Sequence, residues 1–343
     1  MRLALPSGFP TEVHVLDLPS AELLPEGPWV LVGDLAVRDH WRDAGLPEPV
    51  GSCWVEVSEA GKRLSALEPW LEAWARVPLH RDATVVAVGG GVLTDMAGLA
   101  ASLYMRGIRW QSWPTTLLSM VDAGLGGKTA CDLEAGKNLV GAFHSPERLV
   151  ACTRFLDTLP ARQIESGRWE LVKTAVLLND LAWAQELAAT EAPRSAWIER
   201  ALAFKSGVVN RDPEEHGERR LLNLGHTLGH AIESASGYGL LHGESVGLGL
   251  LAACLLAPLE GLKPFPPELL QCWADRLSPL ADRVAPWEDL LPWLRRDKKG
   301  LGDAIACVLP RPDGPALIRP LPPGVWAEPT RLLRECLTGS LRA

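Results

Sequence analysis

The stretch around which this chain is organised covers residues 219–244 and reads RRLLNLGHTLGHAIESASGYGLLHGE. It carries three of the eight histidines of the chain, namely His226, His230 and His242. His226 and His230 are four positions apart, and this spacing places both imidazoles on one face of a helix, as in zinc-binding helices. His242 follows a glycine-bracketed turn and could fold back towards them. The stretch therefore predicts a metal site, although a single histidine more often caps or packs a helix.

The bulk composition predicts a globular protein of about two domains, at roughly 150 residues per domain. Of the 343 residues, 47% are hydrophobic and 22% are charged. No apolar run approaches the roughly 18 to 20 residues that span a bilayer. Prolines interrupt the first ten residues before a signal-peptide core can form, so a cytoplasmic location and no membrane partner are expected. The seven cysteines are scattered, which indicates neither a disulfide framework nor a thiolate zinc site.

The charged residues argue against nucleic acid as a partner and single out the lysines. A net charge of −8 does not provide the basic surface that tracks phosphates. Only eight of the 34 lysines and arginines are lysines. In a chain that uses arginine for ordinary surface charge, a remaining lysine is a candidate for a role that needs a compact, titratable ammonium. Compositional drift, with lysines left at random, is the alternative interpretation.

The first half of the chain alternates predicted strands and helices. Strands are predicted at residues 29–33, 83–88 and 110–113, and apolar spacing predicts a helix within residues 62–77. Three glycines, residues 89–91, follow the second strand and lead into a helix that runs to about residue 105. A strand, a glycine turn and a helix start make room for a pyrophosphate, although glycine turns are also common without one. Thr115 and Thr116 are predicted to cap a short helix that ends near Asp122.

A glycine-rich segment then brings several polar residues together. It is predicted to be a loop in which Asp122, Lys128, Lys137 and Asn138 can approach a ligand closely. Two lysines in this setting indicate an anionic ligand, whereas a flexible surface loop with solvated lysines is the alternative.

The second half is predominantly helical in its spacing. Helices are predicted at residues 165–178, 181–190, 195–209, 245–259 and 267–277, and the best strand signal covers residues 304–309. Residues 310–323 are proline-rich and are interpreted as a connection and a tail. Glu170 and Lys173 are three positions apart and share a helix face, a spacing that usually marks a solvated ion pair.

A family resemblance rests on motifs that recur in order and at matching spacing. These are GGGVLTD at 89–95, YMRG at 104–107, PTT at 114–116, the segments 122–129 and 136–138, 170–173, LNLGHTLGH at 222–230, LHGE at 241–244 and DKK at 297–299. Together they resemble the 3-dehydroquinate synthase family over roughly residues 25–310. The resemblance implies a Rossmann-like α/β NAD-binding domain over residues 1–152 and an all-α metal- and substrate-binding domain over residues 153–343, with the active site in the cleft between them.

The resemblance also implies roles for individual residues. The implied ligands of a zinc or cobalt ion are Glu170, His226 and His242, and His230 becomes a proton-transfer residue, contrary to the interpretation from spacing. Substrate contacts and catalytic groups match Asp122, Lys128, Lys137, Asn138, Lys173, Lys205, Arg219, Asn223 and one of Lys298 and Lys299. Contacts with NAD match Asp34, Glu59, Lys62, Gly90, Gly91, Asp95, Thr115 and Thr116, together with Lys128 and Lys137. Arg106 matches an arginine that the family inserts from the neighbouring subunit of a homodimer.

The implied activity converts 3-deoxy-arabino-heptulosonate 7-phosphate into 3-dehydroquinate and phosphate, in the shikimate pathway of aromatic amino acid biosynthesis. It proceeds by NAD-mediated transient oxidation, β-elimination of phosphate, re-reduction and aldol closure, which makes the enzyme a carbon–oxygen lyase. A sister sugar phosphate cyclase acting on another heptulose phosphate is the main alternative. In valiolone-forming relatives, the positions that match Leu222 and His230 are typically acidic and proline, so these two residues favour dehydroquinate synthesis.

Two more distant alternatives are a polyol dehydrogenase and a non-catalytic NAD- or metal-binding relative. The lysine set argues against the first, because an uncharged polyol needs no such cations. The presence of every polar motif residue argues against the second. The chain departs from the common family pattern at Trp169, where a small residue is usual, and at Thr174 and Ala175.

Overall fold

The structure is a computed structural model that describes residues 2–3, 10–77, 79–191, 194–237, 239–296 and 304–340. The chain divides into two compact units. Unit 1 comprises Met1–Ile164 and Arg194–Pro213, and unit 2 comprises Glu165–Pro193 and Glu214–Ala343. The domain boundary after residue 152 stays a prediction; residues 194–213, which the sequence placed in the helical half, belong to unit 1.

The regular elements are numbered in chain order. The strands are β1 (Arg2–Leu3), β2 (Thr11–Leu16), β3 (Trp29–Asp34), β4 (Gly51–Val55), β5 (Thr84–Gly89), β6 (Arg109–Pro114), β7 (Lys128–Leu133), β8 (Gly136–Phe143), β9 (Arg148–Cys152), β10 (Ile305–Leu309) and β11 (Leu317–Leu321). The α-helices are α1 (Arg38–Asp43), α2 (Glu68–Ala75), α3 (Gly91–Leu103), α4 (Ala161–Leu177), α5 (Leu181–Ala189), α6 (Ser195–Arg211), α7 (His226–Ala235), α8 (His242–Leu259), α9 (Pro267–Leu277), α10 (Trp287–Arg296) and α11 (Ala327–Leu337).

Unit 1 is built on a seven-stranded sheet with the strand order β1-β2-β9-β6-β5-β3-β4. All neighbouring strands are parallel except β1, which is antiparallel to β2. Every residue of β5 is buried, as expected for a parallel sheet that is covered on both faces. From β3 the chain adds β4 on one side and β5 and β6 on the other, so the strand order reverses between β3 and β5. The carboxyl ends of these two strands therefore border the crevice in which such sheets bind ligands. The three strands predicted here are confirmed as β3, β5 and β6.

The glycine-rich segment is not the predicted loop. A π-helical turn, Ser119–Ala123, is followed by an antiparallel hairpin of β7 and β8. Gly127 has a φ of +69°, and a Cβ atom there would lie 2.6 Å from Ser145 Oγ. Glycine is therefore needed for the sharp entry into the hairpin. Lys128 is therefore the first residue of β7 and Lys137 the second residue of β8, so neither lies on irregular chain.

Unit 2 is organised around α8, whose glycines let neighbouring backbone approach closely. A Cβ atom on Gly243 would lie 1.8 Å from the carbonyl oxygen of Ser166 on α4, and one on Gly249 would lie 1.9 Å from the carbonyl oxygen of Gly225. Gly247 leaves space for the ring of Trp169, which packs edge-on against Trp273 with the centroids 6.3 Å apart. The unusual Trp169 therefore fills a groove in α8.

Helix α8 also corrects the expectation that no apolar run could span a membrane. In the described part of the chain it is the one helix that qualifies by length and composition, but 78% of it is buried inside the protein. Such burial is the property of a core helix, so the finding is weak evidence for a membrane segment. The predicted strand at residues 304–309 is confirmed as β10, whereas the predicted tail after it is wrong because β11 pairs with β10 and α11 follows.

Candidate functional site

Three helices of unit 2 bring Glu170, His226 and His242 together. One ligand atom of each residue lies within 4.8 Å of the other two. The Nε2 atoms of His226 and His242 are 3.8 and 3.7 Å from Oε1 of Glu170. The close approach of α4 and α7 to α8 is what places side chains from three helices at one point. The group is the same set of three residues that the resemblance implies as ligands.

The environment of Glu170 fits a cation. Its side chain is 1% exposed, and neither carboxylate oxygen accepts a hydrogen bond from the residues that the structure describes. Lys173, one turn along α4, forms an ion pair with Oε2. Burying a carboxylate that accepts no hydrogen bond carries a large desolvation cost. Lys173 offsets part of this cost at Oε2, and a cation held at Oε1 would offset more. Two imidazoles and one carboxylate are a set that zinc uses in catalytic sites with an open coordination position.

The protonation state of His226 also suits a ligand. Its Nδ1 lies 3.1 Å from the carbonyl oxygen of Leu224, which leaves Nε2 to face Glu170. Burial lowers the pKa of His226 well below its usual value, and the charge of Lys173 lowers it further. The imidazole is therefore neutral near pH 7, as metal binding requires.

His230 lies beside this group but is not part of it. Its ring centroid is 5.2 Å from that of His226 and 5.8 Å from that of His242. Among the described residues, the set that could hold a metal contains Glu170, His226 and His242 and not His230. The pairing of His226 with His230 from spacing alone therefore does not reproduce the group, because the third ligand comes from a different helix.

Other predicted substrate residues are held by polar partners within their own unit. In unit 1, Lys205 of α6 donates from Nζ to the main-chain oxygen of Asp122 at 2.6 Å and to its Oδ1 at 2.5 Å. In unit 2, Asn223 donates from Nδ2 to Glu215 Oε1 at 2.7 Å, and Arg219 is buried close by in sequence. Sequence reasoning missed Glu215, because nothing in its spacing distinguishes it from neighbouring surface acids.

The predicted nucleotide residues cluster in unit 1 around Lys62. This side chain is 6% exposed, and its Nζ contacts Asp95 Oδ2 at 2.6 Å and Asn138 Oδ1 at 2.7 Å. Glu59 pairs with Lys137 at 2.8 Å. The hairpin of β7 and β8 is thus tied to α3 and to the segment after β4. Lys128, at the start of β7, is exposed.

The remaining nucleotide residues lie at the carboxyl ends of β3, β5 and β6. Asp34 accepts from the amide of Ala36 at 3.0 Å, and Thr116 Oγ1 accepts from the amide of Ser119 at 3.2 Å, which confirms the predicted helix cap. The amide of Thr115 donates to the carbonyl of Gly89 at 3.0 Å. Gly90 and Gly91 join β5 to α3, and a Cβ on Gly90 would lie 3.0 Å from Thr116. Gly90 and Gly91 are half-buried, and a strand, a glycine turn and a helix start are the usual arrangement for binding a phosphate.

Two further sequence assignments stay predictions. Arg106 is exposed with a φ of +67°, next to Met105 with a φ of +48°. Left-handed backbone at two consecutive non-glycine residues is uncommon and is found mostly at functional positions. Lys298 and Lys299 lie outside the described residues.

The buried pair of Lys62 and Asp95 predicts a pH dependence of stability. Burial raises the pKa of Asp95 to about 6, and the nearby Lys62 charge opposes that rise. Because the folded-state pKa is above the unfolded value of about 3.9, the contribution of Asp95 to stability is present below pH 4 and is lost as the pH rises through 6. Urea unfolding of the protein without cofactor, at pH 4.5 and pH 7, measures this. Asp95→Asn should reduce that loss by about 1 kcal/mol or more; an unchanged pH dependence would contradict the assignment.

Comparisons with known proteins agree with this geometry. Residues 52–166 match the family model described as 3-dehydroquinate synthase N-terminal, and residues 167–300 match 3-dehydroquinate synthase C-terminal. A curated 3-dehydroquinate synthase from Xanthomonas axonopodis pv. citri is 40% identical over 288 residues, which is 79% of this chain and 78% of that protein.

Two solved structures of related cyclases superpose on nearly the whole chain. One is 2-deoxy-scyllo-inosose synthase complexed with carbaglucose-6-phosphate, NAD⁺ and Co²⁺, with a TM-score of 0.79 and 26% identity over 97% of this chain and 99% of that one. The other is 2-epi-5-epi-valiolone synthase from Streptomyces hygroscopicus subsp. jinggangensis 5008 with NAD⁺ and Zn²⁺ bound, with a TM-score of 0.80 and 26% identity over 95% of this chain and 97% of that one. The predicted fold, an α/β unit followed by a helical unit, is confirmed. On the matched models, the curated relative and the motif residues, the chain belongs to the 3-dehydroquinate synthase family.

Proposed function

We propose that this chain is an enzyme that converts 3-deoxy-arabino-heptulosonate 7-phosphate into 3-dehydroquinate and phosphate. The observation that carries the proposal is the buried carboxylate of Glu170 facing the Nε2 atoms of two histidines, in a chain that is 40% identical to a curated dehydroquinate synthase. As a phosphate-eliminating cyclase of the shikimate pathway it is a carbon–oxygen lyase. Its dependence on NAD supports a cytoplasmic location.

The residues that would hold the metal and the nucleotide belong to separate sets. Glu170, His226 and His242 hold zinc or cobalt, and the set around Lys62, with the glycines at the start of α3, holds NAD. Structural relatives contain NAD⁺ with Co²⁺ or Zn²⁺. When bound, the metal supplies Lewis acidity to a substrate hydroxyl, and NAD supplies a reversible oxidation of the carbon that bears this hydroxyl.

The chain itself supplies charge and positioning for an anionic substrate. The substrate carries a carboxylate and a phosphate, for which fixed cations are the appropriate partners. The cations proposed for this role are Lys128, Lys137, Lys173, Lys205 and Arg219. Asp122 accepts two hydrogen bonds from the ammonium of Lys205, through its main-chain oxygen and Oδ1, and so holds this charge in place. Glu215 accepts one hydrogen bond from the amide of Asn223 and so orients it.

Phosphate release from 3-deoxy-arabino-heptulosonate 7-phosphate tests the proposal directly. Purified protein with NAD⁺ and zinc should form phosphate and dehydroquinate in equal amounts without accumulating NADH, because the oxidation is reversed within each cycle. Turnover of sedoheptulose 7-phosphate instead would identify a sister cyclase. Lasting NADH would identify a dehydrogenase, and zinc well below one per chain without turnover would support a non-catalytic relative.

His230→Ala should separate proton transfer from metal binding. Because His230 is beside the metal group but outside it, the variant should retain about one zinc per chain and lose about 10²- to 10⁴-fold in kcat, the usual contribution of a positioned acid or base. Zinc content and steady-state rates measure the two effects. Loss of bound zinc would show that His230 is a ligand after all.

We also propose a homodimer, on the basis of Arg106 and the apolar surface near it. Leu103 at the end of α3 is 51% exposed and Met105 is 40% exposed, while Leu139 and Phe143 of the hairpin are 59% and 47% exposed. The hairpin packs against α3, so these side chains belong to neighbouring elements. Light scattering should give twice the chain mass, and Met105→Asp should shift the protein towards monomer. A monomer at micromolar concentration would contradict the proposal.

A further inference from the structure

We infer that Glu233 is a positioning residue for the metal centre, holding the ring of His242 so that Nε2 faces the metal position. The inference rests on the proposed function, because it needs His242 to be a ligand. Oε2 of Glu233 lies 3.3 Å from Nδ1 of His242, and Nε2 of the same ring lies 3.7 Å from Oε1 of Glu170. The imidazole is thus placed between two carboxylates, one at each nitrogen.

The two ring nitrogens of His242 have different roles, because only one of the two carboxylates beside them belongs to the metal group. Glu170 belongs to the group that could hold the ion, whereas Glu233 does not. A hydrogen bond donated by Nδ1 to Glu233 leaves the lone pair of the ring on Nε2, which fixes the tautomer that can bind a metal there. A carboxylate partner also makes the imidazole a stronger electron donor to the ion.

The need for this partner follows from the exposure of the two histidines. The side chain of His226 is 12% exposed, and its Nδ1 already faces the carbonyl of Leu224. The side chain of His242 is 34% exposed and sits in the first turn of α8, so packing restrains its ring less. The side chain of Glu233 is 9% exposed, and a charge-assisted hydrogen bond is stronger where water is excluded. The buried carboxylate of Glu233 therefore orients His242, the more exposed of the two histidine ligands.

The position of Glu233 on α7 links the two histidine helices. His226, His230 and Glu233 occupy positions i, i+4 and i+7 of α7 and share one face. Helix α7 therefore supplies one ligand itself and orients the ligand that α8 supplies. A purely structural role, as a hydrogen bond between α7 and α8, would instead lower the free energy of unfolding of the metal-free protein together with any loss of metal affinity.

Two measurements distinguish these roles: zinc affinity of the purified protein, by competition with a chromogenic chelator, and urea unfolding of the metal-free protein, which a positioning role should leave nearly unchanged. Glu233→Ala should weaken zinc binding by about 10- to 100-fold, the usual effect of losing a partner of a metal-bound histidine. Glu233→Gln should lose less, because an amide oxygen still accepts from Nδ1 but carries no charge. Glu260→Gln is the control, because it removes a carboxylate from the other end of α8 and should bind zinc like the wild type.

The outcomes separate this inference from the proposed function. If the wild type binds zinc and both Glu233 variants bind it within about twofold of that affinity, the inference is overturned and the metal centre stands. If the wild type binds no zinc, the proposed function is wrong, and the inference, which depends on it, is wrong too. Should Glu233→Ala fail to fold, Glu233→Gln decides, since it preserves the shape of the side chain.

Discussion

Replacing His242 by alanine should abolish metal-dependent turnover and weaken zinc binding by more than about 100-fold. This loss is larger than the loss expected for replacing Glu233, which contacts a ligand but does not bind the metal itself. The variant leaves Glu170 facing a single imidazole, with an open gap where the second nitrogen lay 3.7 Å from Oε1. Loss of the ion removes several kcal/mol of charge stabilisation, which corresponds to about 10³-fold or more in rate. The free energy of unfolding of the metal-free protein should change little, because this side chain is one-third exposed.

The measurement is zinc content after dialysis, together with phosphate release under saturating zinc. His216→Ala is the matched control, because the side chain of His216 is 83% exposed and lies 3.2 Å from the surface acid Glu214. Zinc content near one per chain with normal turnover in His242→Ala would show that the three-helix group is not the catalytic metal site. If His230→Ala rather than His242→Ala lost the metal, the four-residue spacing on α7 would define the ligands.

The helices in the second half of the chain were predictable because their apolar periodicity is local. The predictions for α4, α5, α6, α8 and α9 are confirmed to within a few residues. Helix α10 was missed because Pro292 interrupts a segment whose burial depends on α7. The hairpin of β7 and β8 was missed because its glycines signal a loop, whereas strand formation depends on packing against α3.

The candidate site was only partly predictable, because burial and partners on other helices leave no local signal. The spacing of Glu170 and Lys173 correctly indicates an ion pair, but not that both side chains are at most 2% exposed. Spacing on α7 suggested His230 as a ligand, since the position of His242 depends on how α8 packs. Only the motif resemblance pointed to the three residues that the structure brings together. Glu233 was missed because its partner is on another helix.

Gly249→Ala should destabilise unit 2 by about 3 kcal/mol or more, the upper range for overpacking a well-filled core. The new Cβ atom would lie 1.9 Å from the carbonyl oxygen of Gly225 and 2.7 Å from the amide nitrogen of Gly229. Both are backbone atoms at the start of α7, so no side-chain rotation can relieve the overlap. The intrinsic helix preference for alanine over glycine is about 1 kcal/mol and is too small to compensate.

Urea unfolding measures this loss, with Gly324→Ala as the control, because a Cβ there meets nothing within 4 Å and should leave stability unchanged. A second readout connects the packing to the site. Gly225 immediately precedes His226, and α8 begins with His242, so a displacement between α7 and α8 separates two ligands of the same group. Gly249→Ala should therefore lower both stability and zinc affinity, whereas His242→Ala lowers zinc affinity alone. A Gly249→Ala protein as stable as the wild type would show that α7 and α8 do not need glycine contact, and the position of the ligands would then require another explanation.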